Sequence, residues 1–130
     1  MGALFGLILL LVGMAQGPVT GQVNSPDGEW RVVALGDLGI DPGDNVVFTL
    51  ADGQISGSAG CNRFSARYAL DAGFSLGPVA LTRMLCQGRP AEVEARMLAT
   101  LPTLTGWRIA PDGALELLSG EGVALRALAG

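Results

Sequence analysis

Gln54–Cys86 reads QISGSAGCNRFSARYALDAGFSLGPVALTRMLC, and this stretch decides the fold. Phe64, Ala66, Tyr68 and Leu70 alternate with Ser65, Arg67 and Ala69, the period of a strand with one face in a core and one in water. Just upstream, Val46–Leu50 and Gln54–Ser58 flank Asp52-Gly53. That pairing predicts a type I′ hairpin, because both central residues need a positive φ and Asp-Gly tolerates it. The small residues Ser56-Gly57-Ser58-Ala59-Gly60 have the look of a phosphate-cradling loop, yet no Gly-Lys-Ser/Thr follows and no helix is signalled. They predict instead a close approach by a neighbouring strand or helix. Asp71-Ala72-Gly73 then turns the chain into Phe74-Ser75-Leu76.

Working outward, Trp30–Leu35 reads as a first strand with Trp30, Val32 and Ala34 on one face. Gly36 to Asp44 reads as a loop. From Pro90 to Leu101 the period changes to that of a helix, with Val93, Met97, Leu98 and Leu101 on one side, and Pro102 is expected to stop it. Pro90 suits a first helical position, with Glu92 and Glu94 near the positive end of the dipole. Glu92 and Arg96, four apart, read as a surface ion pair. The tail predicts a hairpin of Gly106–Ala110 and Ala114–Leu118 around Pro111-Asp112-Gly113, then a strand over Val123–Ala127. The expected fold is mainly β (α+β): a small antiparallel barrel-like sheet of about seven or eight strands, with one helix over 90–101 covering it.

The 130 residues suffice for one domain, 49% hydrophobic and only 15% charged, with 20 glycines. A net charge of −4 with scattered arginines offers no basic patch for nucleic acid. Met1–Ala15 carries no charged side chain, and its apolar run from Ala3 to Val12 matches a signal-peptide core. It is shorter than the roughly 20 residues a spanning helix needs. Cleavage after Ala15 is the expectation, with an uncleaved anchor as the alternative. Residues 16–28 then form a linker and 29–130 the domain, in the periplasm or medium. No cysteine follows the apolar run, so the chain is not expected to be a lipoprotein.

In an exported chain two cysteines are expected to pair, and bridging Cys61 to Cys86 closes a loop of about 25 residues. The competing readings are a reactive thiol or a metal ligand. The chain has no His, which removes the usual base for an activated Cys and makes two cysteines a poor zinc site. It also excludes a Ser-His-Asp hydrolase built on Ser56, Ser58 or Ser65. Asn62 suits a left-handed turn or a cap on neighbouring backbone. Arg63 and Arg83 read as solvated or ion-paired, with an anion site as the alternative. No cofactor or metal is implied.

Gly57–Ser65, then Tyr68, then Leu81-Thr82-Arg83-Met84-Leu85-Cys86, then Glu92-x-Glu94 ahead of Met97-Leu98-Ala99-x-Leu101, resemble the META domain of the HslJ-like heat-shock protein family. Trp30 fits the Trp that opens that domain, and the resemblance extends over about Gly28 to Ala127. It departs at Ala66, where the family often has Gly, and in lacking a lipoprotein cysteine. The resemblance implies an exported or envelope-associated bacterial protein, in some members heat-inducible and linked with novobiocin resistance, with no established enzymatic activity. The expected function is thus a non-catalytic envelope module, monomeric, acting on an unknown protein partner. The alternative is a small-molecule or lipid carrier that uses the barrel interior, which Trp30, Phe48, Phe64, Tyr68 and Trp107 are expected to fill. Contact with a membrane is expected only through the N-terminal segment, if that is retained.

Overall fold

The computed structural model describes residues 25–130. The expected signal peptide over 1–15, and the linker as far as residue 24, lie outside the described residues. The rest of the linker belongs to the fold. The buried indole Nε1 of Trp30 donates to the carbonyl of Pro26 at 2.8 Å, and β1 already begins at Gly28.

The sheet contains β1 (Gly28–Leu35), β2 (Leu38–Gly39), β3 (Val46–Ala51), β4 (Gln54–Ala59), β5 (Arg63–Ala69), β6 (Ser75–Leu76), β7 (Ala80–Leu81), β8 (Gly106–Ile109), β9 (Leu115–Ser119) and β10 (Gly122–Ala129). Eight of these run antiparallel in the order β6-β5-β4-β3-β1-β10-β9-β8, while β2 and β7 pair as short extras on β1 and β5. The sheet curls into a nearly closed barrel. Its two ends meet where the amide of Phe74 donates to the carbonyl of Thr105 at 3.0 Å. Gly73 makes that approach feasible, since at φ +102 a Cβ would lie 2.2 Å from the Thr105 oxygen.

The β3–β4 hairpin turns through Asp52 at φ 53 and Gly53 at φ 78, the two positive angles a type I′ turn requires. On β5, Phe64 and Ala66 are buried and Arg67 is exposed, as the alternation predicts. Two expectations fail on β1 and its loop. The register slips between Val32 and Ala34, so Leu35 rather than Ala34 enters the core, because a bulge spends one residue without advancing the ladder. Residues 36–44, expected as a loop, fold back as β2 and a 3-10 turn over Pro42–Asp44, which buries Ile40.

Helix α1 (Arg89–Thr100) covers the barrel, with Val93 and Met97 fully buried. The α-helix ends at Thr100, just before Pro102 as expected. A 3-10 turn over Leu101–Thr103 follows it, and Pro is tolerated there in a first turn, where its missing N–H has no partner to lose. Arg96 ignores Glu92 and reaches instead to the carbonyl of Leu35 at 3.1 Å and the carboxylate of Asp37 at 3.2 Å, so it ties the helix to the end of β1. The interior is filled by Trp30, Phe48, Leu50, Ile55, Phe64 and Phe74 together with the helix residues. On the outer face of β8-β9-β10, Glu116 lies between Arg108 and Arg126, a cross-strand charge row whose flanking guanidiniums hold the carboxyl below its usual range.

Tyr68 sits near the barrel end, where it stacks on Phe74 with ring centroids 5.7 Å apart and 7° between planes. Its phenol donates to the carboxylate of Asp27. Partial burial first, and then the Asp27 partner, push its pKa up to about 12. A raised folded-state pKa stabilises below the unfolded value near 10, and that contribution is lost as pH rises through 12. Tyr68 is the only tyrosine, so tyrosinate absorbance reports it alone. The folded protein is expected to titrate well above the urea-unfolded chain, and Asp27→Asn to bring the midpoint down; coincident folded and unfolded curves would refute the assignment.

Candidate functional site: the Asn62 node and the loop it holds

Asn62, only 3% exposed, lies in the short connection between β4 and β5. Its side-chain oxygen accepts from the amide of Met84 at 2.6 Å and from the hydroxyl of Thr82 at 3.0 Å. Its Nδ2 donates to Glu94 Oε2 at 3.0 Å and to the Met84 carbonyl at 3.2 Å, and lies 3.6 Å from Cys86 Sγ. The Asn62 amide donates to Glu94 Oε1 at 2.6 Å. One buried amide therefore joins the β4–β5 turn, the segment Thr82–Gly88 and helix α1. Asn62 caps backbone groups as predicted, but it does not adopt the left-handed conformation; in this turn that belongs to Gly60, at φ +114.

The sulfurs of Cys61 and Cys86 are bonded to each other, with Cα atoms 6.3 Å apart. Their bond lies against the Asn62 cluster. The Sγ atoms and a Glu94 oxygen all fall within 4.8 Å of one another. With the sulfurs joined, the trio offers a single carboxylate and no thiolate, so it is no metal site in this state. Gly60 lets the helix approach, since a Cβ there would sit 3.1 Å from Val93 Cγ1. Close approach is what the small-residue run predicts.

Thr82 completes the fastening. Its amide donates to the Arg63 carbonyl at 3.0 Å, and its hydroxyl accepts from the Arg63 amide at 2.9 Å. The loop so held displays Met84 at 61% and Leu85 at 89% exposure, with Arg83 exposed beside them. Arg63 and Arg83 line different surface depressions, and among the described residues neither has a carboxylate within 4.0 Å. A shared two-arginine anion site is therefore not assembled. Trp30 and Tyr68 serve the core and the barrel end. Glu94, Thr82 and the exposed Met84-Leu85 pair are the site residues that sequence reasoning missed. The available signal for Glu94 was its place next to the buried Val93, on the margin of the apolar stripe, where a carboxylate needs a partner.

Replacing Asn62 with Ala leaves the Met84 amide and the Glu94 carboxylate short of partners. The expected loss is about 2–3 kcal/mol, with faster hydrogen exchange at the Met84 amide than at β3. Denaturant unfolding and exchange measurements check this. An unchanged midpoint would show that water replaces the network.

No curated protein matches this chain. A solved structure described as the NMR structure of the protein from Burkholderia xenovorans is similar, with a TM-score of 0.64 and 26% identity over 78% of this chain and 80% of that one. The META domain family model matches residues 22–129. Barrel, helix and the turn that carries Asn62 all fall within that span, and the chain belongs to the META domain family.

Proposed function

We propose that this META domain is a non-catalytic module of the bacterial cell envelope, exported to the periplasm or medium, where it binds a protein partner through the Thr82–Gly88 loop. A part in stress or drug tolerance would follow from that contact. The observation that carries the reading is a contradiction in the loop's design. Its backbone is fastened by Asn62, Thr82 and the Cys61–Cys86 bond, yet it holds Met84 and Leu85 out in water. Burying each such side chain against a partner is worth about 1.5–3 kcal/mol, and a loop already ordered loses little entropy on docking. Methionine is enriched at protein interfaces, and preorganised exposed apolar side chains cost little to dock. The carrier alternative has less support, because aromatic and aliphatic side chains fill the barrel interior. Among the described residues no helix is long and apolar enough to cross a membrane.

A photo-crosslinking residue at position 85 in envelope-localised protein is expected to give a discrete adduct. Met84→Ser should abolish it, and the same probe at exposed Asp71 should not form it. Equal labelling from both positions, or an adduct indifferent to Met84→Ser, would overturn the reading.

A further inference from the structure

A second surface feature lies where the β6–β7 connection faces the helix. Leu76, Val79 and Leu81 form one wall, and Leu98 with Pro102 forms the other. The groove encloses about 540 Å³, within the ~300–1,000 Å³ span of small-molecule sites. Leu76, Val79, Leu81 and Leu98 are half-buried and rest on the core, so the walls are anchored. No acidic residue lines the groove, and its one charged residue is Arg83.

That guanidinium has no carboxylate within 4.0 Å among the described residues, in contrast to Arg89, Arg96, Arg108 and Arg126, which are all paired. An apolar trough with a single unpaired cation is complementary to a molecule with an apolar body and one anionic head. We propose that this groove binds a free amphiphilic monoanion, the head on Arg83 and the hydrocarbon against Leu76, Val79, Leu81 and Leu98. The guanidinium fork suits a carboxylate, whose two coplanar oxygens match it, or a sulfonate, which can offer two of its three oxygens. The net charge of −4 does not forbid this, because at physiological salt distant charges are screened beyond roughly 8 Å and the local cation governs. A neutral amphiphile would gain only the apolar contacts, and a cationic one would be repelled. The site takes Arg83 from the Thr82–Gly88 loop but does not use Met84 or Leu85, so it stands or falls without the contact those two residues make.

The test titrates the isotope-labelled chain with monomeric laurate, with dodecanol and with phosphatidylglycerol vesicles. Laurate is expected to saturate one site and to shift the amides of Val79, Leu81 and Leu98. Arg83→Gln should weaken laurate about tenfold, the worth of one charge-assisted contact, and leave dodecanol unchanged. Val79→Glu, which sets a carboxylate in the wall, should abolish laurate binding while the rest of the spectrum stays native. The proposal is overturned by shifts that never saturate, by equal laurate affinity in Arg83→Gln, or by binding to vesicles without binding to monomeric laurate. Leu85→Ser should bind laurate as the parent does, which separates this site from the Met84-Leu85 contact.

Discussion

Gly57→Ala should abolish folding or lower stability by about 4 kcal/mol or more. Gly57 pairs with Phe48 on one side and Phe64 on the other, in the row of β3, β4 and β5 that faces the core. A Cβ at this position would lie 2.0 Å from the Val47 carbonyl oxygen and 2.6 Å from Phe48 Cα. These are backbone atoms held by ladder hydrogen bonds on both sides, so they cannot step aside as a side chain would. Gly39→Ala supplies the control, since nothing lies within 4 Å of its Cβ position; its expected effect is within about 0.5 kcal/mol. Soluble yield and urea midpoints decide the matter. A Gly57→Ala protein as stable as the control would show that β3 and β4 can separate at little cost.

The second large effect is expected at the cross-link. Cys61→Ser should lower stability by about 2–5 kcal/mol, and Cys86→Ser by the same amount. The bond spans 25 residues of sequence, which constrains the unfolded chain appreciably. The doubly substituted protein should be hardly less stable than either single one, because the same bond is lost in all three. The Asn62 contacts to Thr82, Met84 and Glu94 remain in each, so the Thr82–Gly88 segment should stay near the β4–β5 turn after the bond is gone. Peptide mapping without reductant should recover the Cys61 and Cys86 peptides joined. Two alkylatable thiols in protein drawn from its native compartment would end this assignment.

Much of the fold was legible because its signals are local. The alternation in Phe64–Leu70, the Asp52-Gly53 turn and the helical stripe of Val93, Met97 and Leu101 each state their structure within a few residues. The β1 bulge was not legible, because the partner strand sets register and β10 lies far away in sequence. β2 and β7 are two residues each, too short to show a period. At the site, the cysteine pair and Asn62 could be read from residue type alone. Glu94 and Thr82 could not, because their role appears only when helix, turn and loop converge on one amide. Arg96 shows the same limit in reverse: the i,i+4 rule names Glu92, and the fold offers Leu35 and Asp37 instead.

The strand order places β1 between β3 and β10, with Trp30 opposite Ala129. The consequence is kinetic. Until β10 docks, β1 has a neighbour on one side only, and the β8-β9 hairpin has no strand to join it to the rest of the sheet. Pairing of such distant segments carries a large loop-closure cost before any contact repays it. The chain therefore cannot complete its barrel piecemeal from the N-terminus, and closure comes as a late, cooperative event. A chain lacking β10 should stay protease-sensitive, and loss of protection should be abrupt as that strand is shortened.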